Sequence, residues 1–129
     1  MNSKYFNPLP DTDFERVVGS SFHNHVIFAT PNEMKYILGE PAYEDNTGED
    51  KVNMEWRMQM HDGNMFTVYD YKEYRVLRPN KRVEWHIGGH SRFDTHLAQQ
   101  LLSEELQQAK DELHRDLSVG YKYKMRAEF

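Results

Sequence analysis

The spacing of apolar residues predicts a β-hairpin in the middle of the chain. Between positions 51 and 60 the even positions are apolar and the odd positions polar or charged, the two-residue period of a half-buried strand. Asp62-Gly63 predicts a two-residue turn in which His61 pairs with Asn64. The face that this register groups together consists of Met54, Trp56, Met58, Met60, Met65, Thr67, Tyr69 and Tyr71. The opposite face is half polar, which indicates a surface that is only partly covered or that lines a site.

A strand and a short helix precede this hairpin. Positions 25–29, HVIFA, have the β-branched and aromatic content of a strand. Thr30 then fits a helix N-cap, followed by a proline at the first helical position and Glu33 at the third, and Gly39 ends the helix. Residues 1–20 contain prolines, aspartates and a glycine, and they predict an irregular arm.

The stretch EWHIGGHS, positions 84–91, joins a third strand to the last helix. Alternate residues of this strand face the core, and His86 faces away from it. Gly88 and Gly89 are expected to break the strand, and Ser91 is expected to cap the helix that follows. The stretch is therefore predicted to be the junction between the sheet and the last helix.

The last helix is predicted over residues 92–118, on the order of 40 Å at ~1.5 Å per residue. Its apolar stripe changes sides by roughly 150° when successive residues are placed ~100° apart. The first face, predicted to pack on the sheet of its own chain, consists of Phe93, Leu97 and Leu101. The second face, predicted to pack on another copy, consists of Leu102, Leu106, Ala109, Leu113 and Leu117. The alternative is a break near Ser103 that gives two helices.

Together these elements predict an α+β fold with a short N-terminal helix, an antiparallel β-meander and a long C-terminal helix, assembled into a homo-oligomer. The predicted boundaries are an arm over 1–20, one ligand-binding domain over 21–120 that ends in the oligomerisation helix, and a tail over 121–129. A chain of 129 residues suits a single domain. No apolar run approaches the ~18 residues of a membrane helix, and the start lacks a secretory signal, so we expect a cytoplasmic protein without a membrane partner.

Composition narrows the possible functions. The absence of cysteine excludes disulfides, thiolate metal sites and cysteine nucleophiles. The net charge of −5 opposes binding to long nucleic acid, because that affinity comes mainly from neutralising phosphates. Positive charge is nevertheless concentrated just before the third strand, in Lys72, Arg75, Arg78, Lys81 and Arg82. This local concentration is compatible with a small anionic ligand.

Familiar catalytic patterns are missing from the sequence. His86, His90 and His96 do not have the spacing of a helical HExxH site, so neither a metal nor another cofactor is expected. There is no GxSxG elbow, and no histidine is followed two residues later by Ser or Thr, as it is in metal-independent phosphodiesterases. The letters HNH at 23–25 are a coincidence, because nuclease motifs of that name have these residues far apart. The sequence therefore predicts a binding protein with no catalytic residue.

A phosphate cradle at the sheet–helix junction is the candidate binding site. Glycines let the backbone approach a phosphate closely, and a helix N-terminus offers free N–H groups and partial positive charge. The predicted phosphate donors are Gly88, Gly89 and Ser91; the neutralising side chains are Lys72, Arg75 and His86; and the surfaces for base stacking, worth ~1–3 kcal/mol per base, are Tyr71, Tyr74 and Trp85. The alternative is a plain joint that binds nothing.

Three segments of the sequence resemble one known family. They are ATPNEMKYILGEPAYEDNTGEDKVNMEW, DGNMFTVYDYKEYR and EWHIGGHS, within positions 26–106, and FTVYDYKEYR followed by WHIGG is the most specific combination. The family consists of small proteins of large tailed bacteriophages, cyclic-nucleotide sponges that defeat the bacterial CBASS defence.

The resemblance implies a homo-tetramer in the host cell cytoplasm that sequesters cyclic dinucleotides such as 3′,3′-cGAMP without hydrolysing them. It implies no particular binding residues. This chain departs from shorter members in its first 20 or so residues and in the second half of its last helix. Two other functions remain open at this point, a phosphodiesterase that degrades the same signal and a small phage protein-interaction module.

Overall fold

The alternating strand patterns form one antiparallel sheet of six strands in a computed structural model, which describes residues 5–116 except for the side chains of 113–116. The elements in chain order are β1 (Phe6–Pro8), a 3-10 helix (Asp11–Val17), β2 (Ser21–Ala29), α1 (Pro31–Leu38), β3 (Tyr43–Glu44), β4 (Met54–Met60), β5 (Met65–Asp70), β6 (Val83–Gly89) and α2 (Arg92–Asp116). The strands lie in the order β1-β4-β5-β6-β2, and β3 also pairs with β4. The predicted α+β class, with a short helix, a β4-β5-β6 meander and a long last helix, is confirmed.

The β4–β5 hairpin differs from the predicted register by one residue. Met58 pairs with Phe66, whereas the predicted register would pair it with Thr67. The turn contains three residues, 61–63. Gly63 has φ +93°, the left-handed conformation that a three-residue hairpin loop requires at its last position. A one-residue shift moves every side chain of a strand to the other face, so Phe66 enters the core and Tyr69 lies on the opposite face. The predicted grouping of faces is therefore wrong for β5.

Two buried tryptophans mark the centre of the core. The rings of Trp56 and Trp85 meet edge to face at 5.4 Å, and their exposures are 1% and 0%. Each indole N–H is satisfied by a backbone carbonyl: Trp56 donates to Gly39 at 2.8 Å and Trp85 donates to Ala29 at 3.0 Å. These hydrogen bonds remove the penalty of burying the N–H groups. The first joins β4 to the C-terminal end of α1, and the second joins β6 to the last residue of β2, just before α1.

Helix α2 covers the same face of the sheet, but with a different stripe from the predicted one. The helix is continuous from Arg92 to Asp116, so the alternative break near Ser103 is wrong. Phe93, predicted to pack on the sheet, is 70% exposed. The buried stripe is Ala98, Leu102, Leu106 and Ala109. The small alanines allow close approach to the sheet, which explains why residues assigned to a partner pack within the chain.

Some predicted features lie outside the described residues. They are the side chain of Leu113, Leu117 and the tail over 121–129. Leu97 and Leu101, from the first predicted face, are partly buried beside the core. The homo-oligomer stays a prediction. Its support from the second helix face is lost, because Leu102 and Leu106 pack on their own chain.

The short helix α1 matches its prediction closely. Thr30 Oγ1 accepts from the Glu33 amide at 3.0 Å, and the Glu33 carboxylate accepts from the Thr30 amide at 2.9 Å, a complete capping box.

The N-terminal arm shows structure that its sequence did not indicate. Phe6 is 1% exposed and packs edge to face on Phe66 at 5.6 Å, so the arm contributes to the core. No helix within residues 5–116 has the length and apolarity needed to cross a bilayer.

Candidate functional site

The face of the sheet opposite the two α-helices, part of which the 3-10 helix covers through Phe14 and Arg16, carries a cluster of aromatic side chains. We call it the aromatic row, and it consists of Phe22, Tyr69, Tyr71 and His86. Cross-strand pairing places it, because His86 on β6 lies directly opposite Tyr69 on β5. Phe22 on β2 pairs with Gly88, two residues along the same face of β6 from His86. The row therefore crosses three neighbouring strands.

His86 lies at the centre of the aromatic row. The Phe22 ring stacks on it with 4.2 Å between centroids and 21° between planes. Tyr71 and Tyr69 contact it from the other side at 5.5 and 5.7 Å. Phe22 and Tyr71 are 37% and 39% exposed, so their rings remain accessible to a flat ligand.

Charged groups surround the row unevenly. Lys72 Nζ lies 5.2 Å from the Tyr71 ring centroid, and no ion pair of Lys72 is found within the described residues. Arg57 points toward the same face of the sheet but is paired with Glu55 at 2.8 Å. Burial, followed by the charges of Glu55 and Tyr71, raises the pKa of Tyr69, so its hydroxyl remains a hydrogen-bond donor at neutral pH. A phosphate near Tyr71 would meet an available ammonium group.

A buried polar cluster fixes the end of β5 that presents Tyr71 and Lys72. The Asp70 carboxylate, fully buried, accepts from the Asn53 amide at 2.8 Å, the Asn53 side chain at 3.0 Å and the Met54 amide at 2.9 Å. The Lys72 amide donates to the Lys51 carbonyl at 2.7 Å. Lys72 also has φ +56°, a conformation that side chains other than glycine rarely adopt without support. The position of these side chains is thus determined by hydrogen bonds beneath them.

The structure brings together only part of the predicted site. Tyr71, Lys72 and His86 lie close together on the open face. Tyr74 and Arg75 belong to the loop that follows, where Tyr74 is 54% exposed and Arg75 pairs with Glu73 at 2.8 Å. Within the described residues, neither has a ring contact with the row.

Trp85 does not meet the requirement for base stacking. Neighbouring residues of a strand point to opposite faces, and Trp85 points into the core while His86 points out. With 0% exposure it has no surface on which a ligand could stack, so that assignment is wrong.

The predicted phosphate cradle is not formed. Gly88 and Gly89 are the last residues of β6 and pair with β5 on one side and β2 on the other, so they extend the strand instead of breaking it. A Cβ at Gly88 would lie 2.6 Å from Thr67 Oγ1, and one at Gly89 would lie 2.9 Å from a methyl carbon of Thr95. The glycines are thus required by packing. Ser91 caps α2 as predicted, since its Oγ accepts from an amide of the first turn at 3.1 Å.

Two members of the aromatic row, Tyr69 and Phe22, were not among the site residues predicted from the sequence. Tyr69 was assigned to the core face because of the one-residue shift of the hairpin. Phe22 precedes an irregularity in β2, where three residues separate the positions that pair with Gly88 and His86. The period-two spacing of Tyr69 and Tyr71 was the one available signal, and with the correct register it would have placed both on the open face.

An open groove runs along the outer edge of β2, and no side chain of the aromatic row lines it. It has a volume of about 690 Å³ and lies between β2 and α2. Gln99 of α2 donates to the Val26 carbonyl at 2.8 Å, and Arg82 lies 5.7 Å from the Phe28 ring.

Within residues 5–116, no group of three or more histidine and acidic side chains has the arrangement of a metal site.

Comparison with protein-family models and with curated proteins finds no match to this chain.

Proposed function

We propose that this protein binds cyclic dinucleotides, such as 3′,3′-cGAMP, on the aromatic row and sequesters them without cleavage, inhibiting the host CBASS defence. The resemblance of FTVYDYKEYR and WHIGG to phage nucleotide sponges supports the ligand class. The exposed Tyr71 ring beside Lys72 and His86 is the observation that carries the proposal. The protein would act in the host cytoplasm as a homo-oligomer, a tetramer by the resemblance.

The chemistry of the row suits such a ligand. A base can stack on Tyr71, and its phosphate can then accept from the Lys72 ammonium group. A base that replaces or extends the stack of Phe22 on His86 would occupy the other end of the row. Tyr69, whose ring contacts both Tyr71 and His86, adds a hydroxyl donor.

The required affinity exceeds what stacking provides. A sponge must bind below the signalling concentration, in the nanomolar range or about −12 kcal/mol. Two stacked bases contribute ~1–3 kcal/mol each. The remainder would come from charge-assisted hydrogen bonds to the phosphates and from burial of the ligand. Lys72 is therefore as important to the proposal as the rings.

Calorimetric titration of Tyr71→Ala with 3′,3′-cGAMP tests this site. Loss of one stacking surface should weaken binding by ~1–3 kcal/mol, about five- to 150-fold in Kd. Phe93→Ala is the matched control, because Phe93 is also an exposed ring but lies on α2, across the sheet from the row. Equal affinity of Tyr71→Ala and the wild type would contradict the site. No binding of any cyclic dinucleotide by the wild type would favour a protein-interaction module.

A further inference from the structure

A second cluster of basic side chains lies away from the aromatic row, where β2 meets the first turns of α2. It consists of His23, His25, Arg92 and His96, which we call the histidine cluster. The rings of His25 and His96 are 5.4 Å apart, and Arg92 precedes His96 by four residues, so both lie on one side of the helix. His23 and His25 flank Asn24, whose φ of +70° marks the irregular part of β2.

His25 is held by a hydrogen bond between its Nδ1 atom and Thr95 Oγ1. Thr95 Oγ1 has one hydrogen and two neighbours that can accept it, His25 Nδ1 at 2.7 Å and the Arg92 carbonyl at 3.2 Å. When Thr95 donates to the Arg92 carbonyl, His25 Nδ1 is the donor in its own pair with Thr95. In that tautomer of the neutral ring, Nε2 is left with a lone pair. Protonation of Nε2 would turn it into a donor and make the ring cationic.

The charges acting on His25 all have the same sign. Burial lowers the pKa of His25, and His96, Arg92 and His23 lower it further. The acid of the same helical turn, Asp94, is 7% exposed and accepts from the Asn64 side chain at 3.0 Å. His23 Nε2 donates to the Gly89 carbonyl at 3.2 Å. Basic groups thus surround His25, and Asp94, the acid of the first turn of the helix, is already hydrogen-bonded to Asn64.

We propose that His23, His25, His96 and Arg92 bind a phosphate group, in a site separate from the aromatic row. Several N–H donors from two elements suit a tetrahedral phosphate group, and the Arg92 guanidinium can engage two of its oxygens. A permanently charged guanidinium opposes a metal cation at the same place. The exposed Arg92 and His96 bind the anion first, and His25 takes up a proton beneath it.

This arrangement makes the sign of the pH dependence definite. Without an anion, the folded protein binds a proton at His25 less readily than the unfolded chain does, because the pKa is lowered. Stability is therefore lost as the pH falls below the ordinary histidine value of 6.5. A bound phosphate raises the same pKa, so the His25 ring should take up its proton at a higher pH in phosphate than in chloride.

The test follows the histidine ring signals by NMR while inorganic phosphate is added, with chloride at matched ionic strength as the reference. Phosphate should shift the signals of His25 and His96 and should raise the pH at which the His25 ring takes up its proton, whereas chloride should not. His61, exposed in the β4–β5 turn, is the internal control and should respond to phosphate and chloride alike. Equal effects of the two salts on His25 would overturn the proposal.

Variants make the result specific to this cluster. Arg92→Gln combined with His96→Gln changes two exposed positions and should remove the phosphate response, whereas His61→Gln should retain it. A full response in the double variant overturns the site. AMP then separates two sources of phosphate. A response equal to that of inorganic phosphate assigns the site to the free ion, and a stronger one assigns it to a nucleotide phosphate. Tyr71→Ala should leave all of these responses unchanged, which separates this site from the proposed function.

Discussion

At the residue scale, the two glycines before α2 have a structural role that their sequence context disguised. GGHS before a helix suggested a phosphate cradle, but the backbone at Gly88 is held between β5 and β2. Gly88 also lies beside Phe22 and His86 on the open face. A side chain there would meet Thr67 before it met any ligand. Glycine is needed at this position for the close approach of neighbouring strands.

Gly88→Ala should therefore destabilise the fold. The added Cβ would lie 2.6 Å from Thr67 Oγ1, and overpacking of this kind lowers the free energy of unfolding by about 1–3 kcal/mol. Thermal unfolding measures the loss. In the double variant with Thr67→Ala the clash is gone, so the two substitutions together should cost less than their sum. Additive losses would show that the contact with Thr67 is not the cause.

At the element scale, the sequence predicted the structure correctly where a few neighbouring residues determine it. Thr30 and Glu33 are enough to specify the start of α1, and the capping box is present. The hairpin depended on the choice between a two- and a three-residue turn, and both choices keep Asp62-Gly63 in the loop. Burial of Phe66 decides between them, and that depends on the rest of the sheet. Without knowledge of the whole sheet, the position of Tyr69 in the candidate site could not be predicted.

The faces of α2 show the same dependence on tertiary packing. Leucine and phenylalanine positions alone indicated a stripe through Phe93, whereas the buried stripe is built around Ala98 and Ala109. Alanine carries little apolar area, so a pattern weighted by size underrates it. Close approach of a helix to a sheet nevertheless favours small residues. The contribution of the N-terminal arm to the core was not predicted for a related reason, since Phe6 is buried only because β1 pairs with β4.

Leu102→Ala and Phe93→Ala test these helix faces directly. Leu102 is fully buried and its truncation should lower the free energy of unfolding by about 2–5 kcal/mol. Phe93 is 70% exposed, and its truncation should change stability by no more than about 0.5 kcal/mol. Denaturant unfolding of the two variants gives both values. If Phe93→Ala lowered the free energy of unfolding more than Leu102→Ala does, the described packing of α2 would be contradicted.

At the scale of the whole molecule, one sheet separates two surfaces of different composition. The core and both α-helices occupy one face, and the aromatic row occupies the other. Stability can therefore be maintained by the first face while the second remains available for a ligand. The histidine cluster lies at the β2–α2 junction, so a phosphate there and a nucleotide on the row could bind at the same time.

We propose that the protein holds a cyclic dinucleotide without changing it. The most direct measurement is recovery of the ligand: protein in excess is incubated with 3′,3′-cGAMP and heated to denature it, and the released nucleotide is identified by mass spectrometry. A sponge removes the free ligand before heating and returns intact cyclic nucleotide afterwards. Linear product would contradict sequestration and indicate a phosphodiesterase, and ligand that stays free before heating would contradict binding itself.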